Sequence, residues 1–378
     1  MKSYIGADIF DGVRLHRGAA LVVADGHVVA IGDPVGDVVT LAGGILAPGF
    51  LDLQVNGSGG VAVDGATDMD ALRHICAVQA QLGATGCLPT LITDTPQATA
   101  RVVDAGIAAT RAGVPGFLGL HIEGPHLDPR RKGAHDPALI RPMTDDDLAL
   151  MLRAATGLPS LMVTVAPESV SVDQIARMAE AGIVVSLGHT DCTAAQAQAA
   201  MAAGARCATH LFNAMSQLGN REPGLVGAVL AGNSFSGLIA DAIHVVPDVM
   251  RIALAAKADG VFLVSDCMAL AGTDGTEFTL GGRHILRRGG RLTLADGTLA
   301  GADLTLPRAV QVLVNNVGIP VERALAMATS IPARVLGRAD ALGHLAPGRV
   351  ADMVHLGADW SLRQVWRSGT DIGMADGH

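Results

Sequence analysis

Eight apolar runs divide the middle of the chain, at residues 50–55, 87–92, 117–122, 161–165, 183–187, 207–211, 236–240 and 261–264. Between them lie amphipathic segments at 68–82, 96–112, 145–155, 172–181, 193–203 and 247–258, several opened by the Asp, Thr or Pro that suits a helix start. Strand then helix, repeated this often, restricts a chain to folds with a mainly parallel sheet. A closed (β/α)8 barrel of the TIM type over residues 47–337 is the expected fold, although a doubly wound open sheet shares the same local pattern. Residues 1–46 read differently: two short β segments meet at the hairpin turn Asp25-Gly26. Residues 338–378 hold similar short segments, Asp352-Met-Val-His-Leu and Leu362-Arg-Gln-Val-Trp, so one small sheet domain is expected from both chain ends. Gly and Thr around Glu277-Phe-Thr-Leu-Gly-Gly and Arg291-Leu-Thr-Leu-Ala-Asp-Gly predict a β insertion after the last barrel strand.

Composition removes several classes of partner. The formal charge of −9 is spread without acidic or basic blocks, and aromatics make up 3%, which argues against nucleic acid and anionic membranes. No apolar run approaches the ~18 residues of a membrane span, and the start shows no signal-peptide pattern. A soluble cytoplasmic protein with a small-molecule ligand is expected. The five cysteines, Cys76, Cys87, Cys192, Cys207 and Cys267, form no C-x-x-C pair and read as reduced core residues rather than metal ligands.

In a barrel of this kind the chemistry gathers at the carboxyl ends of the strands. Those ends carry Asp52, Gln54 and Asn56, then His121 and Glu123, Glu168, His189, His210, Asp241 with His244, and finally Asp266. A lone His beside an apolar run is ordinarily a hydrogen-bonded structural residue. Two at successive strand ends, His189 and His210, together with the carboxylate of Glu123, point to one divalent metal with an open coordination position. A metal-free hydrogen-bonded cluster of the same groups is the alternative. Asp266 is placed to take a proton from a water activated by that metal and return it to a leaving group, or else to serve as a loop acceptor.

Six motifs occur in order: Pro48-Gly-Phe-Leu-Asp52, His121-Ile-Glu-Gly-Pro125, Gly188-His-Thr190, Thr209-His-Leu-Phe-Asn-Ala-Met215, Ala240-Asp-Ala-Ile-His-Val245 and Ser265-Asp266. Together they resemble the N-acetylglucosamine-6-phosphate deacetylases of the amidohydrolase superfamily over nearly the whole chain. The resemblance implies a metal-bearing barrel with a β-sandwich from both chain ends, release of acetate from the amino sugar phosphate, and a homodimer. It implies Glu123, His189 and His210 as metal ligands and Asp266 as the catalytic carboxylate; the ligand set suits zinc first, with iron, cobalt or manganese as alternatives. Ala134 and His135 would contact substrate, with His135 polarising the acetamide carbonyl. Asn213, Ala214 and Arg221 match sugar-phosphate contacts, the arginine being one that a neighbouring subunit can supply. Asp241, Ala242, Ile243 and His244, the segment Leu299, Ala300 and Gly301, and Gln54 complete the expected substrate-binding set.

Many superfamily members carry H-x-H after the first strand to hold a second metal. Here the positions are Gln54 and Asn56, amides that bind zinc poorly beside imidazole, so a single metal is expected. Two rival readings share most of these residues: a deacetylase for N-acetylgalactosamine 6-phosphate or another N-acyl amine, and a barrel that only binds. The second would be expected to lack a ligand or the acid/base group, and neither is missing.

Overall fold

The computed structural model describes residues 1–373; the end of the segment 338–378 expected for the sheet domain lies outside the described residues. The eight central strands are β1 (Leu51–Val55), β2 (Gly86–Ile92), β3 (Leu120–Glu123), β4 (Leu161–Val165), β5 (Val184–Leu187), β6 (Cys207–Ala208), β7 (Phe235–Leu238) and β8 (Val261–Leu263). They pair in parallel in chain order. The residues just past β8 then return to β1: a parallel bridge joins Val55 to Cys267, Asp266 N donates to Gln54 O at 3.0 Å, and Asn56 N donates to Cys267 O at 2.9 Å. Sequential order with closure is a (β/α)8 barrel, and the doubly wound alternative is excluded.

Side-chain caps start the outer helices. Asp68 accepts from Ala71 N ahead of α1 (Met69–Gln81), and Thr95 accepts from Ala98 N ahead of α2 (Pro96–Arg111). Reciprocal capping boxes, Thr144 with Asp147, Ser171 with Gln174 and Thr193 with Gln196, open α3 (Asp145–Gly157), α4 (Val172–Glu180) and α5 (Ala194–Ala202). Helix α6 (Gly224–Ala231) was not among the expected segments. Its sequence, GLVGAVLA, is apolar on every side and contains two glycines, so it has no amphipathic period and gains its stability from burial. Helix α7 spans Pro247–Ala256.

Between β8 and α8 (Leu306–Val312) the expected insertion is a four-stranded antiparallel meander of Glu277–Leu280, Arg283–Arg288, Arg291–Thr293 and Leu299–Ala302. A bridge from Ala302 to Cys267 ties its last strand to the barrel rim. Both chain ends build the sandwich. One sheet orders His27–Gly32, Ala20–Ala24, Lys2–Ile5 and Asp37–Thr40; the other runs from Thr370–Asp371 through Leu362–Arg367, Met353–Leu356, Ile45–Pro48 and Asp8–Phe10 to Leu15–His16. The strand Ile45–Pro48 carries the sandwich two residues past position 46, because its partner Met353–Leu356 pairs along its whole length.

Candidate active site

The barrel mouth holds a cavity of about 250 Å³, lined among others by Glu123, His135, His189, His210 and Asp266. All five are buried, from 2% exposed for Glu123 to 9% for Asp266. The chain turns sharply to present them. His189, His210 and Asp266 all have left-handed backbone, with φ of 48°, 29° and 49°, and so do Ala214 and Ala242. Non-glycine residues in that region cost on the order of 1–3 kcal/mol each and persist where the surroundings over-determine them, commonly at functional sites.

Among the described residues, Glu123, His189 and His210 are the group of His, Cys, Asp or Glu side chains able to hold one metal ion, with ligand atoms all within 4.8 Å of one another. Glu123 Oε1 lies 3.4 Å from His189 Nε2 and 3.1 Å from His210 Nε2, and the two Nε2 atoms are 3.1 Å apart. His189 Nδ1 meets the backbone carbonyl of Arg131 at 2.8 Å. A carbonyl only accepts, so Nδ1 carries a proton, and in the neutral ring Nε2 is a bare lone pair directed at a carboxylate and another imidazole. A cation among these three atoms resolves that crowding of acceptors, and the donor set suits a catalytic divalent site with an open position. Burial works to raise the Glu123 carboxyl, but the electrostatics of the adjacent His189 and His210 outweigh it and hold Glu123 well below the usual range.

Two amides secure Asp266. Asn56 Nδ2 donates to its Oδ1 at 2.7 Å, and Gln54 Nε2 donates to the same oxygen at 3.1 Å while also reaching Glu123 Oε1 at 3.1 Å. The two amides at the positions where two histidines are absent thus link a candidate ligand to the candidate acid/base. Burial, reinforced by the charge of Glu123, pushes the Asp266 carboxyl up to about 6. Behind it, the buried Asp52 accepts from Ser265 N with both oxygens at 3.2 Å and from Gln54 N at 3.2 Å. This fastens the seam of the barrel one residue from Asp266.

His135 approaches from the loop after β3, its ring centroid 4.3 Å from that of His189. Thr93, at the end of β2, donates its backbone N–H to His135 Nδ1 at 3.3 Å, and its hydroxyl lies 2.7 Å from the same nitrogen. Since a backbone N–H cannot accept, Nδ1 is the acceptor and the neutral ring carries its proton on Nε2. Burial, with His189 beside it, pushes His135 well below its usual value and keeps it neutral. Thr93 was missed in the sequence, where a Thr following a strand has no distinguishing signal.

Of the remaining expected residues, Ala134, Asn213, Ala214, His244, Leu299, Ala300 and Gly301 line the cavity. Asp241 stands behind His244, its Oδ2 2.6 Å from Nδ1 and its Oδ1 accepting from Ile243 N and His244 N, so Asp241, Ala242 and Ile243 form a turn that aims the imidazole. Gln54 sits beneath the cavity rather than on its wall. Arg221 is not brought to this cavity: it is exposed, in the loop that also carries the 60% exposed Leu218. His121 points into the barrel interior, its Nε2 2.7 Å from Thr164 Oγ1. Glu168 accepts from Thr190 and Asp191 N, off the cavity wall.

Residues 45–370 match the amidohydrolase family. This chain belongs to that family. It is 36% identical to an N-acetylgalactosamine-6-phosphate deacetylase of Shewanella sp. (strain ANA-3) over 98% of its own length and 96% of that protein's. It is 34% identical to an N-acetylglucosamine-6-phosphate deacetylase of Haemophilus influenzae, covering 88% of this chain and 89% of the other. The crystal structure of N-acetylglucosamine-6-phosphate deacetylase from Pasteurella multocida superposes with a TM-score of 0.93 at 32% identity, over 97% of this chain and 98% of that one.

Proposed function

We propose that this amidohydrolase converts N-acetyl-D-glucosamine 6-phosphate and water to D-glucosamine 6-phosphate and acetate. Glu123, His189 and His210 would hold one divalent ion per chain, zinc first and iron, cobalt or manganese as alternatives. When bound, that ion supplies Lewis acidity to water and to the amide carbonyl. His135 donates its Nε2 proton as a hydrogen bond to the carbonyl oxygen, a role open to a neutral ring. Asp266 takes a proton from the attacking water and delivers it to the departing nitrogen. Because Asn56 and Gln54 both occupy Oδ1, Oδ2 is the oxygen that carries this proton. His244, oriented by Asp241, joins Asn213 and Ala214 in receiving the phosphorylated end, while Leu299, Ala300 and Gly301 contact the substrate from the insertion.

The observation that carries this reading is the convergence on one cavity of three candidate ligands, a raised carboxyl and a neutral imidazole whose proton faces inward. Acetate release from the phosphorylated amide by metal-quantified protein tests it; no release would refute it. A second reading, the C4 epimer N-acetylgalactosamine 6-phosphate, is favoured by the 36% identity to the Shewanella enzyme. Running both epimers side by side decides between them by kcat/KM.

No arginine or lysine lines the cavity among the described residues. The phosphate reading therefore includes a homodimer in which Arg221 reaches the neighbouring subunit's site. Arg221→Ala should raise KM for the phosphorylated sugar and hardly affect N-acetylglucosamine itself; equal loss on both would refute the assignment. The reading also places the enzyme in the cytoplasm, in keeping with five buried free cysteines. No helix among the described residues is long and apolar enough to cross a membrane.

A further inference from the structure

The two arcs of the barrel mouth differ in chemistry. Asn213 and Ala214 follow β6 and His244 follows β7, making the arc that suits a phosphorylated sugar. Around the rest of the rim, Ile92 ends β2, Met268 follows the seam where β8 meets β1, and Leu280 and Ala300 belong to the insertion. In a closed ring of eight strands, β2 and β6 are diametrically opposed. Met268, Leu280 and Ala300 belong to one apolar cluster with Leu270, Ile285 and Leu292, and Ile92 and Ala134 pack against it. Arg283 of the insertion donates to the carbonyl of Ala134, tying this wall to the loop that carries His135.

A scissile amide must lie between these arcs, with its carbonyl oxygen toward His135 and the candidate ligands and its nitrogen within reach of Asp266. The sugar leaves from the nitrogen toward His244 and Asn213. The substituent on the carbonyl carbon then points at the apolar wall. A single methyl covers little of a surface built from Ile92, Met268 and Leu280, which continues into the core of the insertion.

We infer that this wall is the acyl subsite, that Leu280 and Ile92 set the length of N-acyl chain accepted, and that straight-chain acyl groups longer than acetyl are substrates. The inference rests on the amide-hydrolysis reading above. Burying or excluding one methylene in an apolar pocket is worth about 10–200-fold in kcat/KM. Shortening the wall should therefore shift acyl preference while leaving preference at the phosphate unchanged.

The test compares N-acetyl-, N-propionyl- and N-butyrylglucosamine 6-phosphate with holoenzyme, wild type and variants. Leu280→Ala should raise the butyryl-to-acetyl ratio of kcat/KM by about tenfold or more, and Leu280→Phe should lower it by a similar factor. Because Leu280 also packs within the insertion, Ile92→Ala, placed at the end of a barrel strand, gives an independent reading in the same direction. Ratios that stay within about twofold of wild type in both Leu280→Ala and Ile92→Ala fall far short of a methylene's worth and would overturn the subsite assignment. If wild type releases no acetate from either hexosamine epimer, the parent reading fails instead, so the two failures are distinguishable.

Discussion

The β-sandwich and the barrel mouth bury their side chains in opposite ways. The sandwich core is apolar, built on Tyr4, Ile9, Leu21, Leu46, Met353 and Trp366, with the Tyr4 and Trp366 rings edge to face at 5.2 Å. The mouth buries Glu123, His135, His189, His210 and Asp266 in one cavity and leaves His210 Nδ1 and Asn56 Oδ1 without hydrogen-bond partners. Unpaired buried polar groups cost about 1–3 kcal/mol each. The sandwich is held by apolar packing, whereas the mouth carries left-handed backbone and crowded acceptors where a cation and a substrate would sit.

The largest effect should come from separating chemistry from fold at the mouth. Asp266→Asn is expected to retain metal and thermal stability while kcat falls about 10²–10⁴-fold, the usual worth of a positioned acid/base group. Near-normal turnover would remove Asp266 from that role. The converse change belongs in the sandwich: Trp366→Ala should cost about 3–5 kcal/mol of stability in denaturant titration, with kcat of the folded fraction unaltered. Loss of turnover in that fraction would show that the two regions are coupled.

Asp52 sharpens the comparison through pH. Burial raises its carboxyl from 3.8 to about 7, so the folded chain keeps a proton that the unfolded chain releases. This contribution to stability is complete below the unfolded value and is lost as pH rises through about 7. The denaturant midpoint of Asp52→Asn should lack that component of the decline; parallel wild-type and variant curves would deny it. The smallest effect is expected at Thr93, where Thr93→Val removes a hydroxyl from His135 Nδ1 but keeps the N–H. A fall in kcat of about tenfold with KM little changed, restored by Thr93→Ser, is the expected outcome; an effect on stability alone would make Thr93 structural.

Much of this architecture was legible because burial on both faces of a parallel strand leaves an apolar run, and capping residues such as Thr95, Ser171 and Thr193 mark helix starts. Strand ends were less so. The run 117–122 predicts three residues of strand ahead of Leu120, but Gly119 sits at φ 132° and the ladder begins after it. The run 207–211 shortens to Cys207–Ala208 because the chain leaves the strand to present His210 in the left-handed region. Helix α6 lacks the polar face that periodicity requires. At the site, ionisable residues at strand ends announce themselves, as Glu123, His189, His210 and Asp266 do. Supporting groups do not: Thr93 and the shared hold of Gln54 and Asn56 on Asp266 depend on contacts between strands far apart in sequence. Arg221 is exposed and off its own chain's cavity, a position that leaves open the expectation that a neighbouring subunit supplies it.

Everything rests on one divalent ion held by Glu123, His189 and His210. Metal quantification of purified wild type, Glu123→Ala, His189→Ala and His210→Ala measures this directly. One ion per wild-type chain, lost from each variant under the same dialysis, is the predicted result. A full equivalent retained in all three variants, or a metal-free wild type with full activity, would contradict the account.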